Sequence, residues 1–98
     1  MVKNKLDSIP VHEGDKVTFF NFRVIEGSHA VARIGWPVTG EPLMLVEFHG
    51  QNPGNGDGPR YAYYPVTRQQ AVAAAYHKSV GKYLHRRIFG SKKSYKLG

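Results

Sequence analysis

The amino-acid sequence predicts an α+β fold, with a small antiparallel sheet of about four strands followed by two C-terminal helices packed on it. Residues 16–64 contain four runs rich in β-branched and aromatic residues, and glycine or proline separates the runs. An alanine-rich run follows, with a capping signal at its start. Strands that precede helices, without alternating with them, are typical of α+β domains. A chain of 98 residues supplies one modest core.

The first two predicted strands lie on either side of the turn signal Gly27-Ser28. In the run 16–26, Phe20, Phe22 and Val24 alternate with polar residues, which predicts a strand with one buried face. The run 29–36 predicts a second, weaker strand.

The next two predicted strands, 43–48 and 60–64, lie on either side of a long loop. The first is mostly apolar and ends before Gly50, and residues 51–59 are rich in glycine and proline, as expected of a flexible connection. Tyr61 and Tyr63 share one face of the fourth strand, because side chains alternate along a strand.

The first helix is predicted over residues 68–79, after a capping box formed by Thr67 and Gln70. Its apolar positions recur at helical spacing and are expected to face the sheet. These positions are Val72, Ala75, Tyr76 and Val80.

The second helix is predicted over residues 82–89, between Gly81 and Gly90. The helical spacing turns Leu84 and Ile88 inward, with Tyr83 as a further candidate for the inner face. The cations of the helix face outward; they are Lys82, Arg86 and Arg87.

These elements form one domain over residues 17–90. Residues 1–16 are polar and predict a flexible N-terminal segment, and residues 91–98 predict a frayed basic tail. No internal repeat is present.

The net charge of +7 is unevenly distributed along the chain. Residues 1–58 contain all seven acids and five bases, whereas residues 59–98 contain nine bases and no acid. The second part therefore carries +9, and its partners must be acids of the first part, solvent ions or a polyanion.

Several functional classes lack their usual signals. Zero cysteines exclude a thiolate zinc site, an iron–sulfur cluster and a disulfide scaffold. The N-terminus lacks the apolar core of a signal sequence and no apolar run is long enough to cross a bilayer, so we expect a cytoplasmic protein without a membrane partner. The spacing of His77 and His85 matches no zinc motif. We expect no metal, no cofactor and no enzymatic activity.

The residues expected to bind RNA or single-stranded DNA combine cations for the phosphates with aromatic rings for the bases. They are Arg60, Tyr61, Tyr63, Lys78, Lys82, Tyr83, Arg86, Arg87, Lys92 and Lys93.

Each of these residues also has a purely structural interpretation. Tyrosines on a strand usually belong to the core, and lysines and arginines on a helix usually form a solvated face. The alternative function is a protein-interaction module whose basic face docks an acidic partner, for example a phage protein acting on a host protein. A third, weaker hypothesis is a small nuclease that uses His77 or His85 with an acid from the first half.

Residues 43–90 resemble the KTSC domain, named for its position at the C-terminus of some lysyl-tRNA synthetases and also found alone in bacterial and phage proteins. The resemblance rests on the strand 45–48 with Gly50, on Tyr61-Ala62-Tyr63, on Pro65-Val66 and on the run 79–88. The glycine-rich insertion and the many alanines of the first helix depart from the family pattern.

The resemblance implies the same fold, and RNA binding has been suggested for the family from the synthetase association. It further implies that Gly81 lies where the second helix meets a neighbouring backbone, and that Ser79 caps this helix.

Overall fold

A computed structural model describes residues 7–50 and 58–97 and shows one antiparallel sheet with two short helices. The strands are β1 (Asp7–Glu13), β2 (Lys16–Val24), β3 (Val31–Pro37), β4 (Met44–Phe48), β5 (Arg60–Tyr64) and β6 (Lys93–Leu97). The helices are α1 (Arg68–Ala75) and α2 (Val80–Leu84), and α2 continues into a π-helical segment (His85–Phe89). Residues 51–57 of the predicted loop 51–59 lie outside the described residues.

The predicted strand count is wrong, since the sheet formed by the described residues has six strands in the order β1-β2-β3-β4-β5-β6. The two additional strands, β1 and β6, lie where the sequence predicts a flexible segment and a frayed tail. Both are edge strands, each paired with a single neighbour. Pairing through backbone hydrogen bonds does not require apolar side chains, so a polar or lysine-rich edge strand has a weak sequence signal.

The hairpin between β1 and β2 turns at Gly14, which has a φ of +60°. This left-handed conformation is one that glycine adopts without steric cost, and it lets Glu13 pair directly with Lys16.

The predicted buried face of β2 is correct for Phe20 and Phe22, but Val24 is 56% exposed.

The predicted capping box of α1 is confirmed. The Gln70 N–H donates to Thr67 Oγ1 at 3.1 Å, and the Thr67 N–H donates to Gln70 Oε1 at 3.0 Å. The helix ends earlier than predicted, at Ala75, and it buries Ala71, Ala74 and Ala75 against the sheet, whereas Ala73 is exposed. Tyr76, predicted to face the sheet, is instead 43% exposed.

The orientation of the second helical region is as predicted, because Leu84 and Ile88 are buried while Arg86 and Arg87 are exposed. Ser79 occupies the N-cap position of α2 but forms no capping hydrogen bond with its side chain. A Cβ atom added at Gly81 would meet open space, so no described backbone approaches this glycine closely.

Apolar side chains bury both faces of the sheet. The larger cluster joins the helices to β3, β4 and β5, with Trp36, Met44 and Val46 among its members. The smaller cluster lies on the opposite face and contains strand residues only, including Phe22 and Leu45.

A buried ion-pair group lies beside the smaller cluster. Glu47 on β4 is fully buried and accepts hydrogen bonds from Arg33 on β3 and Arg60 on β5. The Arg33 guanidinium also lies 4.8 Å from the centre of the Phe22 ring. The group leaves one surplus positive charge, and both arginines keep partial access to water.

Candidate nucleic-acid interface

The cations of the C-terminal half are concentrated on the helical region and the start of β6. Six of the predicted binding residues belong to this group, and all are exposed except Lys92, which is half-buried. We call this group the cationic surface; its residues are Lys78, Lys82, Arg86, Arg87, Lys92 and Lys93. Within the described part of the chain, none of them forms an ion pair with an acid.

Arg60, also predicted to bind, differs from the cationic surface in its environment. Its Nε donates to Glu47 Oε2 at 3.1 Å, so its charge already has a partner inside the fold. Among the described residues after Gly58, it is the only base that pairs with an acid.

Tyr61 and Tyr63 lie on the face of β5 that the helices cover. Tyr63 is 8% exposed, and its ring centre lies 5.3 Å from that of Phe89. Burial, with a further contribution from the neighbouring Tyr61, raises the pKa of the Tyr63 hydroxyl above its ordinary value. Tyr61 is half-buried and meets the Phe48 ring edge to face at 5.9 Å. The Tyr63 ring is therefore inaccessible for stacking on a base.

Tyr83 lies next to the cationic surface but is also half-buried. Its ring centre lies 5.2 Å from the ring of His77, at a tilt of 46°. The Tyr83 and His77 rings therefore pack against each other where the connection after α1 meets α2.

Two further tyrosines, Tyr64 and Tyr95, are exposed, and the predicted set of binding residues includes neither. Tyr64 and Tyr95 lie with their ring centres 5.7 Å apart, and Lys93 is the register partner of Tyr64. Tyr95 was missed because the segment that carries it was predicted to be a tail and not a strand.

An open cleft of about 830 Å³ separates the β2–β3 turn from the connection between α1 and α2. Lys78 and Lys82 of the cationic surface line it, together with Arg23 from β2. Glu26 and the histidines His29 and His77 also line it.

Arg23 and Tyr76 form a fixed pair at this cleft. The Arg23 guanidinium lies 4.2 Å from the centre of the Tyr76 ring, and its Nη1 donates to the carbonyl oxygen of Ala75 at 3.0 Å. The sequence offered a partial signal for Arg23, which alternates with buried phenylalanines and so points to the opposite face of β2. Nothing in the sequence indicates that Tyr76 is exposed, because its position in the helical repeat is that of a residue facing the sheet.

His77 and His85 have different surroundings. His77 lines the cleft, whereas His85 lies edge-on to Phe89, with ring centres 5.1 Å apart. Residues 7–50 and 58–97 contain no group of three or more histidine, aspartate or glutamate side chains that could hold a metal ion. In the same ranges, no helix is long and apolar enough to cross a membrane.

No family model, no curated protein and no solved structure matches this chain. The resemblance to the KTSC domain therefore stays a prediction, and the arrangement of the side chains is the basis for a functional proposal.

Proposed function

We propose that this chain is a small non-enzymatic module that binds RNA or single-stranded DNA through its cationic surface. The observation that supports this function most is that no described acidic side chain neutralises these cations. The six cations, five of them exposed and Lys92 half-buried, have no acidic partner in the described part of the chain. A surface with this charge attracts polyanions strongly at low ionic strength.

The helical region holds several of these cations on one side of the fold. The inner side of α2 and the π-helical segment is formed by Val80, Leu84 and Ile88, all buried. The cations Lys82, Arg86 and Arg87 therefore point to solvent from a rigid element. Their backbone is already ordered, so binding costs less conformational entropy than the ordering of a disordered basic tail would.

The pairing of β6 with β5 places Lys93 on the face of the sheet opposite the helices, the face of the smaller cluster. Because Lys93 lies on an ordered strand, opposite Tyr64, its position relative to the exposed Tyr64–Tyr95 pair is fixed. Exposed aromatic rings next to cations are the arrangement that single-strand binding uses. The resemblance of residues 43–90 to the KTSC domain favours the same class of ligand.

A titration of fluorescently labelled RNA, single-stranded DNA and duplex DNA tests the proposal. Binding of the single strands at about 50 mM salt, with a steep loss at about 200 mM, is the expected result. The triple variant Lys82→Gln, Arg86→Gln, Arg87→Gln should bind much more weakly, and Lys16→Gln, which alters a cation on β2, should not. Failure of the wild-type chain to bind any strand at low salt would contradict the proposal.

A capture experiment from lysate separates this function from the protein-interaction alternative. A partner that is lost after nuclease treatment supports nucleic-acid binding, whereas an acidic protein that remains bound supports the alternative. Cleavage of the labelled RNA during the titration would contradict the non-enzymatic part of the proposal and favour the nuclease hypothesis with His77.

A further inference from the structure

The cleft between the β2–β3 turn and the α1–α2 connection has the charge and side chains of a nucleotide site. Among the described residues, three cations line it, namely Arg23, Lys78 and Lys82, and one acid, Glu26. Its volume of about 830 Å³ is ample for one nucleotide. Two of its cations belong to the cationic surface, so a strand bound there passes the mouth of the cleft.

We propose that this cleft receives one nucleotide of the bound single strand. Lys78 and Lys82 contact its phosphate, and its base stacks on the Arg23–Tyr76 pair. The inference rests on the proposed function and adds to it the place where a base is held.

The Arg23–Tyr76 pair is organised before any ligand binds. The Tyr76 ring on one side and the Ala75 carbonyl at the edge restrict the Arg23 guanidinium to one orientation. A planar guanidinium held in this way is a stacking surface for a base and keeps N–H groups for hydrogen bonds. Little side-chain entropy remains to be lost on binding, which favours affinity.

His77 offers a hydrogen-bond donor to the same cleft. Its Nδ1 accepts from the Ser79 N–H at 3.0 Å, so the neutral ring carries its proton on Nε2. Contact with the Tyr83 ring limits rotation of the imidazole. Nε2–H can therefore donate to a phosphate oxygen or to an acceptor on the edge of a base.

The contribution of the base to affinity can be measured with two strands that share one backbone, of which only one carries bases. An octamer of RNA or DNA and an abasic octamer with the same backbone are titrated against the wild type, Tyr76→Leu and Arg23→Lys. Loss of one stacking contact weakens binding by roughly 5-fold or more. We expect this loss for the octamer with both variants, and no change for the abasic strand.

Two variants serve as controls. Tyr76→Phe keeps the ring and should bind the octamer like the wild type. Phe19→Leu removes an exposed aromatic ring that lies outside the cleft and outside the Tyr64–Tyr95 pair, and it should leave the difference between the octamer and the abasic strand intact. Circular dichroism at the titration temperature establishes that each variant is folded, since Arg23 also contacts the end of α1.

Amide chemical shifts of the ¹⁵N-labelled protein locate the base directly. Addition of the octamer should shift the resonances of residues 23–29 and 76–82, and the abasic strand should shift mainly those of Lys78 and Lys82. If the octamer binds the wild type but Tyr76→Leu and Arg23→Lys bind equally well, the cleft proposal is wrong and nucleic-acid binding stands. If the wild type binds neither strand, both proposals are wrong.

Discussion

Arg60 donates from Nε to Glu47 Oε2 at 3.1 Å, an ion pair between adjacent strands in which the carboxylate is fully buried. The pair gives both residues a structural role. The sequence predicted that Arg60 contacts phosphate, and it placed Glu47 in the mostly apolar strand 43–48 without assigning it a role. In the fold, Glu47 compensates the charges of Arg60 and Arg33 in a region with little access to water.

We predict that Glu47→Gln lowers the free energy of unfolding by about 3 kcal/mol, since removing one partner of a buried pair leaves the others uncompensated. This value is at the lower end of the usual range because both arginines retain contact with water. Urea unfolding measures the loss. Glu41→Gln, which breaks the exposed pair with Lys16, is the matched control and should cost less than about 1 kcal/mol. Equal losses would contradict a special role for Glu47.

Gly35 and Gly81 should respond in opposite ways to substitution by alanine. At Gly35 a Cβ atom would lie 2.7 Å from the Phe22 ring, which is itself buried, so Gly35→Ala should cost about 1–3 kcal/mol. At Gly81 the added methyl group meets open space within α2, and Gly81→Ala should gain about 0.5 kcal/mol from helix propensity. Thermal unfolding of the two variants is the measurement. A destabilised Gly81→Ala variant would instead support the close backbone contact that the family resemblance implies.

Burial of Tyr63 predicts a loss of stability at high pH. Its pKa in the folded state is raised above 10.0, so above pH 10 the unfolded chain gives up a proton that the folded chain retains. The stabilising contribution is complete below pH 10 and is lost as the pH rises from 10 through the folded-state pKa. Denaturant unfolding between pH 8 and 11 should show a shallower decline for Tyr63→Phe than for the wild type. Tyr64→Phe, which removes an exposed hydroxyl, is the control, and an identical decline in all three proteins would contradict the prediction.

The sequence predicted those elements whose signals are local. The capping box at Thr67, the strand 60–64 and the inward positions Leu84 and Ile88 all follow from short-range chemistry or from helical spacing. The edge strands were missed because each carries only two apolar residues at alternate positions, Ile9 and Val11 in β1 and Tyr95 and Leu97 in β6, and so short an alternation is a weak strand signal.

The candidate site was predicted in part for a similar reason. The charge split identified the cations, because charge is a property of the residue and an acid-free stretch cannot neutralise itself locally. The roles of the tyrosines depend on tertiary packing instead. Tyr63 is buried because the helices cover its face of β5, and Tyr76 is exposed because α1 ends at Ala75, just before it.

The cationic surface finally predicts how binding depends on salt. For single strands, each neutralised phosphate contributes about −0.7 to the slope of the logarithm of affinity against the logarithm of salt concentration. The double variant Arg86→Gln, Arg87→Gln should therefore reduce the slope by about 1.4 without loss of stability, because both side chains are exposed and lack a described acidic partner. The double variant Lys16→Gln, Arg68→Gln removes the same charge from positions outside the cationic surface and should leave the slope unchanged. Equal reductions in both variants would mean that the net charge of the chain, and not this surface, attracts the strand.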